Sequence, residues 1–79
     1  NIVSAVSLKE RISIWILEEA DEYGIVRVEM NREDLADYLG VARPSLSRTL
    51  MQMQGEGMIE VGKKQIRILD VKKIQTLSN

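Results

Sequence analysis

The chain has 79 residues and a mass of 9.0 kDa, the size of one compact domain. Eleven Lys and Arg against twelve Asp and Glu leave a formal net charge of −1, and 44% apolar with 29% charged residues is the makeup of a folded domain rather than a disordered or fibrous chain. Cys and His are both absent, which excludes disulfides, thiolate chemistry, His-ligated zinc and imidazole acid–base work, and leaves an enzyme the least supported class.

The first element spans Ser7–Tyr23, where Leu8, Ile12, Ile16, Ala20 and Tyr23 recur at helical spacing and Gly24 offers the stop. Ile14, Trp15 and Leu17 add apolar surface away from that stripe, so this helix calls for a second partner. Two readings of the extra surface stand side by side: Ile14 and Trp15 face parts of a longer protein, or Trp15 folds over the edge of its own small core. Ile25–Met30 alternates β-branched and charged residues and reads as a strand. Asn31 supplies an N-cap, with Glu33 and Asp34 in the first turn, where carboxylates suit the helix dipole. The helix it opens turns Leu35, Ala36 and Leu39 inward and stops at Gly40. After the tight turn Val41-Ala42, Pro44 marks a new helix start, since a missing N–H costs nothing in a first turn. That helix runs to about Glu56 with Leu46, Leu50 and Met53 on one face. Met58–Val61 and Gln65–Leu69 are two short strands around Gly62-Lys63-Lys64, a hairpin with a basic tip, and Asp70 caps a last short helix through Leu77.

Two helices joined by a short Gly-containing turn and followed by a hairpin make a winged helix-turn-helix: an α+β fold, mostly α, with a three-helix core and a small antiparallel β-hairpin wing. Residues 1–79 form a single domain, with the helix-turn-helix at about 32–56 and the wing at about 58–69. Within the unit, Ala36 is small where the helices cross, Gly40 sits where the turn needs a left-handed backbone, and Leu46 points back into the crossing. Charge is distributed unevenly. Residues 1–30 carry three bases and six acids, whereas residues 43–73 carry seven bases and three acids. A basic face in the C-terminal half is what a nucleic-acid footprint requires, although a solvated polar surface explains such runs equally well until the bases are placed.

Arg32–Ile59, "REDLADYLGVARPSLSRTLMQMQGEGMI", resembles the DNA-binding domain of the Crp/Fnr family of bacterial transcription regulators, and "ERISIWILEEA" (Glu10–Ala20) and "IRILDVKKI" (Ile66–Ile74) extend the similarity over nearly the whole chain. The resemblance implies a recognition helix that begins around Ala42 and lies in the major groove of double-stranded DNA. Arg43 and Arg48 match its two recognition arginines, whose guanidinium forks suit guanine O6 and N7. Pro44 and Ser47 fall on the same segment and complete the expected base-reading set. Ser45, Arg32 in the first turn of the positioning helix, and Lys63 and Lys64 at the wing tip are the expected phosphate contacts.

The chain departs from the family pattern twice. Pro44 stands where many members carry a Glu that accepts from cytosine N4, so the familiar half-site is not expected to be read in the same way. Ala42 stands where a Ser commonly caps the recognition helix, a loss of about 1 kcal/mol. The family also carries an effector-binding β-barrel and a long dimerisation helix, for which these residues leave no room, and the chain opens on Asn1 rather than Met. The expectation is therefore a DNA-binding piece of a cytoplasmic, homodimeric regulator that also contacts RNA polymerase, with no cofactor or small-molecule ligand in this piece and no membrane association. Two alternatives stay open: a winged helix of another regulator family, and a winged helix used for protein–protein contact.

Overall fold

The computed structural model describes residues 7–78. Its elements run α1 (Leu8–Glu19), β1 (Ile25–Arg27), α2 (Arg32–Leu39), α3 (Arg43–Gly55), β2 (Ile59–Val61), β3 (Gln65–Ile68) and α4 (Val71–Ser78), the order expected from the sequence.

Helix α1 starts with a capping box. Ser7 Oγ accepts from the Glu10 N–H at 3.1 Å, and the Ser7 N–H donates to Glu10 Oε1 at 3.2 Å. The helix ends at Glu19, short of the expected Tyr23. The Asp21 carboxylate accepts from the backbone N–H groups of both Tyr23 (2.8 Å) and Ile25 (3.0 Å), offering the chain a turn in place of another helical one. Tyr23 consequently leaves the apolar stripe and is 75% exposed. Of the extra apolar residues, Trp15 joins the core, Leu17 packs at its edge and Ile14 is exposed. The second partner that α1 requires is α4, which lies against it and sends Ile74 into the core. A residue of α4 thus joins those of α1, α2 and α3 in the core. Asp70 caps α4 as expected, accepting from the Lys73 N–H at 3.2 Å.

Strand β1 stops at Arg27 rather than Met30, and it joins the wing instead of standing alone. The sheet is three-stranded and antiparallel in the order β1-β3-β2, with Val26 opposite Ile66 and Val61 opposite Ile66. Val26 and Ile66 are fully buried and lock the wing onto the helices through an apolar cross-strand pair. Ile12 and Ile16 of α1, Leu35 and Ala36 of α2, and Leu46, Leu50 and Met53 of α3 fill the centre beneath that sheet. The buried Ser13 hydroxyl donates to the Lys9 carbonyl at 2.8 Å, so it carries no unsatisfied polar atom into the core.

Candidate nucleic-acid interface

The site begins with local signals. Asn31 Oδ1 accepts from the Asp34 N–H at 2.8 Å and opens α2. At its other end Gly40 takes φ +73°, a left-handed conformation that disfavours any side chain, and the Val41 N–H reaches back to Ala36 O at 2.9 Å. Arg11 Nη1 donates to the Leu39 carbonyl at 3.2 Å and satisfies another orphan acceptor of that last turn. The chain then enters α3 through Ala42, which is extended and makes no side-chain cap, with Pro44 in the first turn. Ala36 and Leu46 are both buried, as the helix crossing requires.

The buried Leu46, Leu50 and Met53 set the rotation of α3. Opposite them lie Pro44, Arg48 and Met51, all exposed, so the face presented to a ligand is defined by spacing of four and three. Met51, 70% exposed, was not singled out by the sequence; the signal for it was its place three residues after Arg48. Arg43 is exposed at the first helical position, but residues five apart differ by about 140° around a helix, so Arg43 and Arg48 leave α3 in diverging directions. Ser45 and Ser47 are half-buried on opposite flanks. Ser47 lines a hollow with Arg32, Met51, Gln54 and Val61, which brings the start of α2, the flank of α3 and the wing together. Lys63 and Lys64 are exposed between β2 and β3, as expected.

The bases separate into two groups. Lys9 pairs with Glu56 at 2.6 Å, Arg67 pairs with Glu60 at 2.8 Å, Lys73 Nζ donates to the Glu56 carbonyl at 3.0 Å, and Arg11 holds Leu39. The side chains of Arg27, Arg32, Arg43, Arg48, Lys63, Lys64 and Lys72 make no hydrogen bond or ion pair among the described residues. The basic half of the sequence is therefore not the basic face of the molecule. Arg67 and Lys73 are withdrawn from it, and Arg27 is added from the N-terminal, acidic stretch. Among the described residues, no three His, Cys, Asp or Glu come together as metal ligands, and no helix is long and apolar enough to cross a membrane.

A positioning helix, a glycine turn, a second helix held by its buried face and a wing beside its end define a winged helix-turn-helix, a class built for DNA. Known regulators share this arrangement. Residues 10–77 match the Crp-like helix-turn-helix domain. The chain is 34% identical over 76 residues to the nitrogen fixation regulation protein FixK of Bradyrhizobium diazoefficiens, covering 96% of this chain and 31% of that protein. It is 31% identical over 84 residues to electron transport regulator A of Shewanella oneidensis, covering 98% of this chain and 34% of that protein. The solved structure of FixK2 from Bradyrhizobium japonicum superposes with a TM-score of 0.80 at 27% identity, over 92% of this chain and 39% of that one. The chain belongs to the Crp-like helix-turn-helix family and is the DNA-binding domain of a Crp/Fnr-type transcription regulator, a family of regulators rather than enzymes. It spans about a third of the length of the curated relatives it matches.

Proposed function

We propose that the chain reads double-stranded DNA in a sequence-specific manner, with α3 in the major groove. Pro44, Ser47 and Arg48 face base edges, and Arg43 reaches them from the first turn through its long side chain. Arg32, Ser45, Lys63 and Lys64 hold phosphates. One observation carries this reading: of the seven bases whose side chains have no protein partner among the described residues, Arg32, Arg43, Arg48, Lys63 and Lys64 lie on the start of α2, on α3 and on the wing, with Arg27 on β1 and Lys72 on α4, whereas Lys9, Arg11 and Lys73 are engaged in holding helices together. An obligatory protein–protein module would present an apolar contact surface there, and only Met51 is a large exposed apolar residue on α3.

The reading extends to a homodimeric parent on a two-fold-symmetric site, contact with RNA polymerase, an effector held outside this domain, and a cytoplasmic location. Support for these comes from the transcriptional role of the family and from the dimerisation helix and effector-binding domain that the family resemblance implies. A single domain binds only one half-site, so this chain alone is expected to bind far more weakly than the dimeric parent. The test is selection of bound sequences from random duplex DNA, followed by affinity measurements across salt concentration. DNA binding gives a selected motif and an affinity that falls steeply with salt through counterion release. A salt-independent interaction without a motif would refute it.

A further inference from the structure

We propose that Arg27, at the end of β1, is a phosphate-contacting residue that extends the DNA footprint past the wing tip onto the duplex flanking the half-site; this rests on the DNA-binding reading above. Val26 and Ile66 are paired and fully buried, so the neighbouring pair Arg27–Gln65 projects from the opposite, solvent face of the sheet. The Val28 N–H donates to the Lys64 carbonyl at 2.9 Å, which fixes the wing tip beside the end of β1. Arg27, Glu29 and Lys64 consequently line one open hollow.

Arg27 has no partner there. Glu29 is the one carboxylate in that hollow, yet it forms no ion pair with Arg27 or Lys64 among the described residues. Arg67 emerges from the same face of the sheet and is neutralised by Glu60 at 2.8 Å. Two adjacent cations left unneutralised, beside a pair that is neutralised, mark the place where an external anion binds. The anion is DNA rather than an acidic protein because Lys64, which lines this hollow with Arg27, is the wing-tip base that holds phosphate in the reading above.

The test uses a duplex selected by the chain, in one version carrying natural-length flanks and in another trimmed at the half-site. On the long duplex, Arg27→Ala lowers the salt slope by about one, so that wild type loses about 3.5-fold more affinity than the variant between 50 and 200 mM salt. Base preference stays the same, Arg27→Lys keeps the wild-type slope, and Glu29→Gln strengthens binding. On the trimmed duplex wild type and Arg27→Ala behave alike. A folded Arg27→Ala variant with an unchanged slope on the long duplex, where Lys64→Ala does lower it, overturns the role of Arg27 alone. Failure of wild type to select any duplex overturns the DNA reading itself.

Discussion

Gln54, in the last turn of α3, accepts at Oε1 a hydrogen bond of 2.7 Å from the backbone N–H of Val61 in β2. β2 is an edge strand, so its outer N–H has no ladder partner, and α3 supplies one. The bond fixes the wing relative to α3, and thereby places Lys63 and Lys64. Gln54→Ala is expected to cost about 0.5–1.5 kcal/mol and to accelerate hydrogen exchange at the Val61 amide. Gln54→Glu keeps an acceptor and is expected to retain protection. Unchanged exchange at Val61 in the alanine variant would show that the sheet alone positions the wing.

Arg48 and Lys64 differ in what they are expected to read. Arg48 lies on the outward face of α3 and is proposed to set its guanidinium fork against a guanine edge, so Arg48→Ala should cost about 1–3 kcal/mol and relax preference at one base pair. Lys64 stands on the wing, and Lys64→Ala should weaken all sequences alike while lowering the salt slope by about one. Binding profiles on duplexes varied at single base pairs separate the two. If Arg48→Ala leaves base preference intact, Arg48 is a phosphate contact.

Pro44 shares that outward face one turn before Arg48 and offers no side-chain acceptor. Its ring can touch a thymine methyl, whereas a carboxylate there would accept from cytosine N4. Pro44→Glu is expected to fold normally, because an acidic residue suits the first turn of a helix, and to move preference towards cytosine. The comparison is affinity on half-sites varied at the contacted pair. Identical profiles from two folded proteins would place position 44 away from the bases.

Glu56, just beyond α3, ties that helix to α1 and α4. The hydrogen bond from Lys9 Nζ, with help from Gln52 and the nearby Lys73, holds its carboxyl below its ordinary range. A carboxylate whose pKa is depressed by folding contributes stability above its unfolded pKa and loses it as pH falls through the folded one. Thermal unfolding followed across pH is therefore expected to show wild type above Glu56→Gln near neutrality, with the difference closing on acidification below the ordinary carboxylate range. A difference that persists at the acid end would assign the effect to packing rather than to the ion pair.

The sequence by itself determined the helix-turn-helix, because its signals are local. Asn31 caps within three residues, Gly40 needs only its own φ, Pro44 suits a first turn, and Leu46, Leu50 and Met53 share a face by helical period. The outward placement of Pro44 and Arg48 follows from the same period. What the tertiary structure alone decided is which charges remain free and where β1 goes. Lys9 meets Glu56 across 47 residues of chain, Arg11 meets Leu39 across 28, and Lys73 meets Glu56 across 17. None of these pairs is encoded by a spacing, so a count of bases along the chain assigned Lys73 and Arg67 to the basic face and Arg27 to the acidic stretch. The pairing of β1 with β3, set by burial of Val26 against Ile66, brought Arg27 to the wing instead. Short-range backbone chemistry is legible in order along the chain; the neutralisation of a charge depends on which distant element packs beside it.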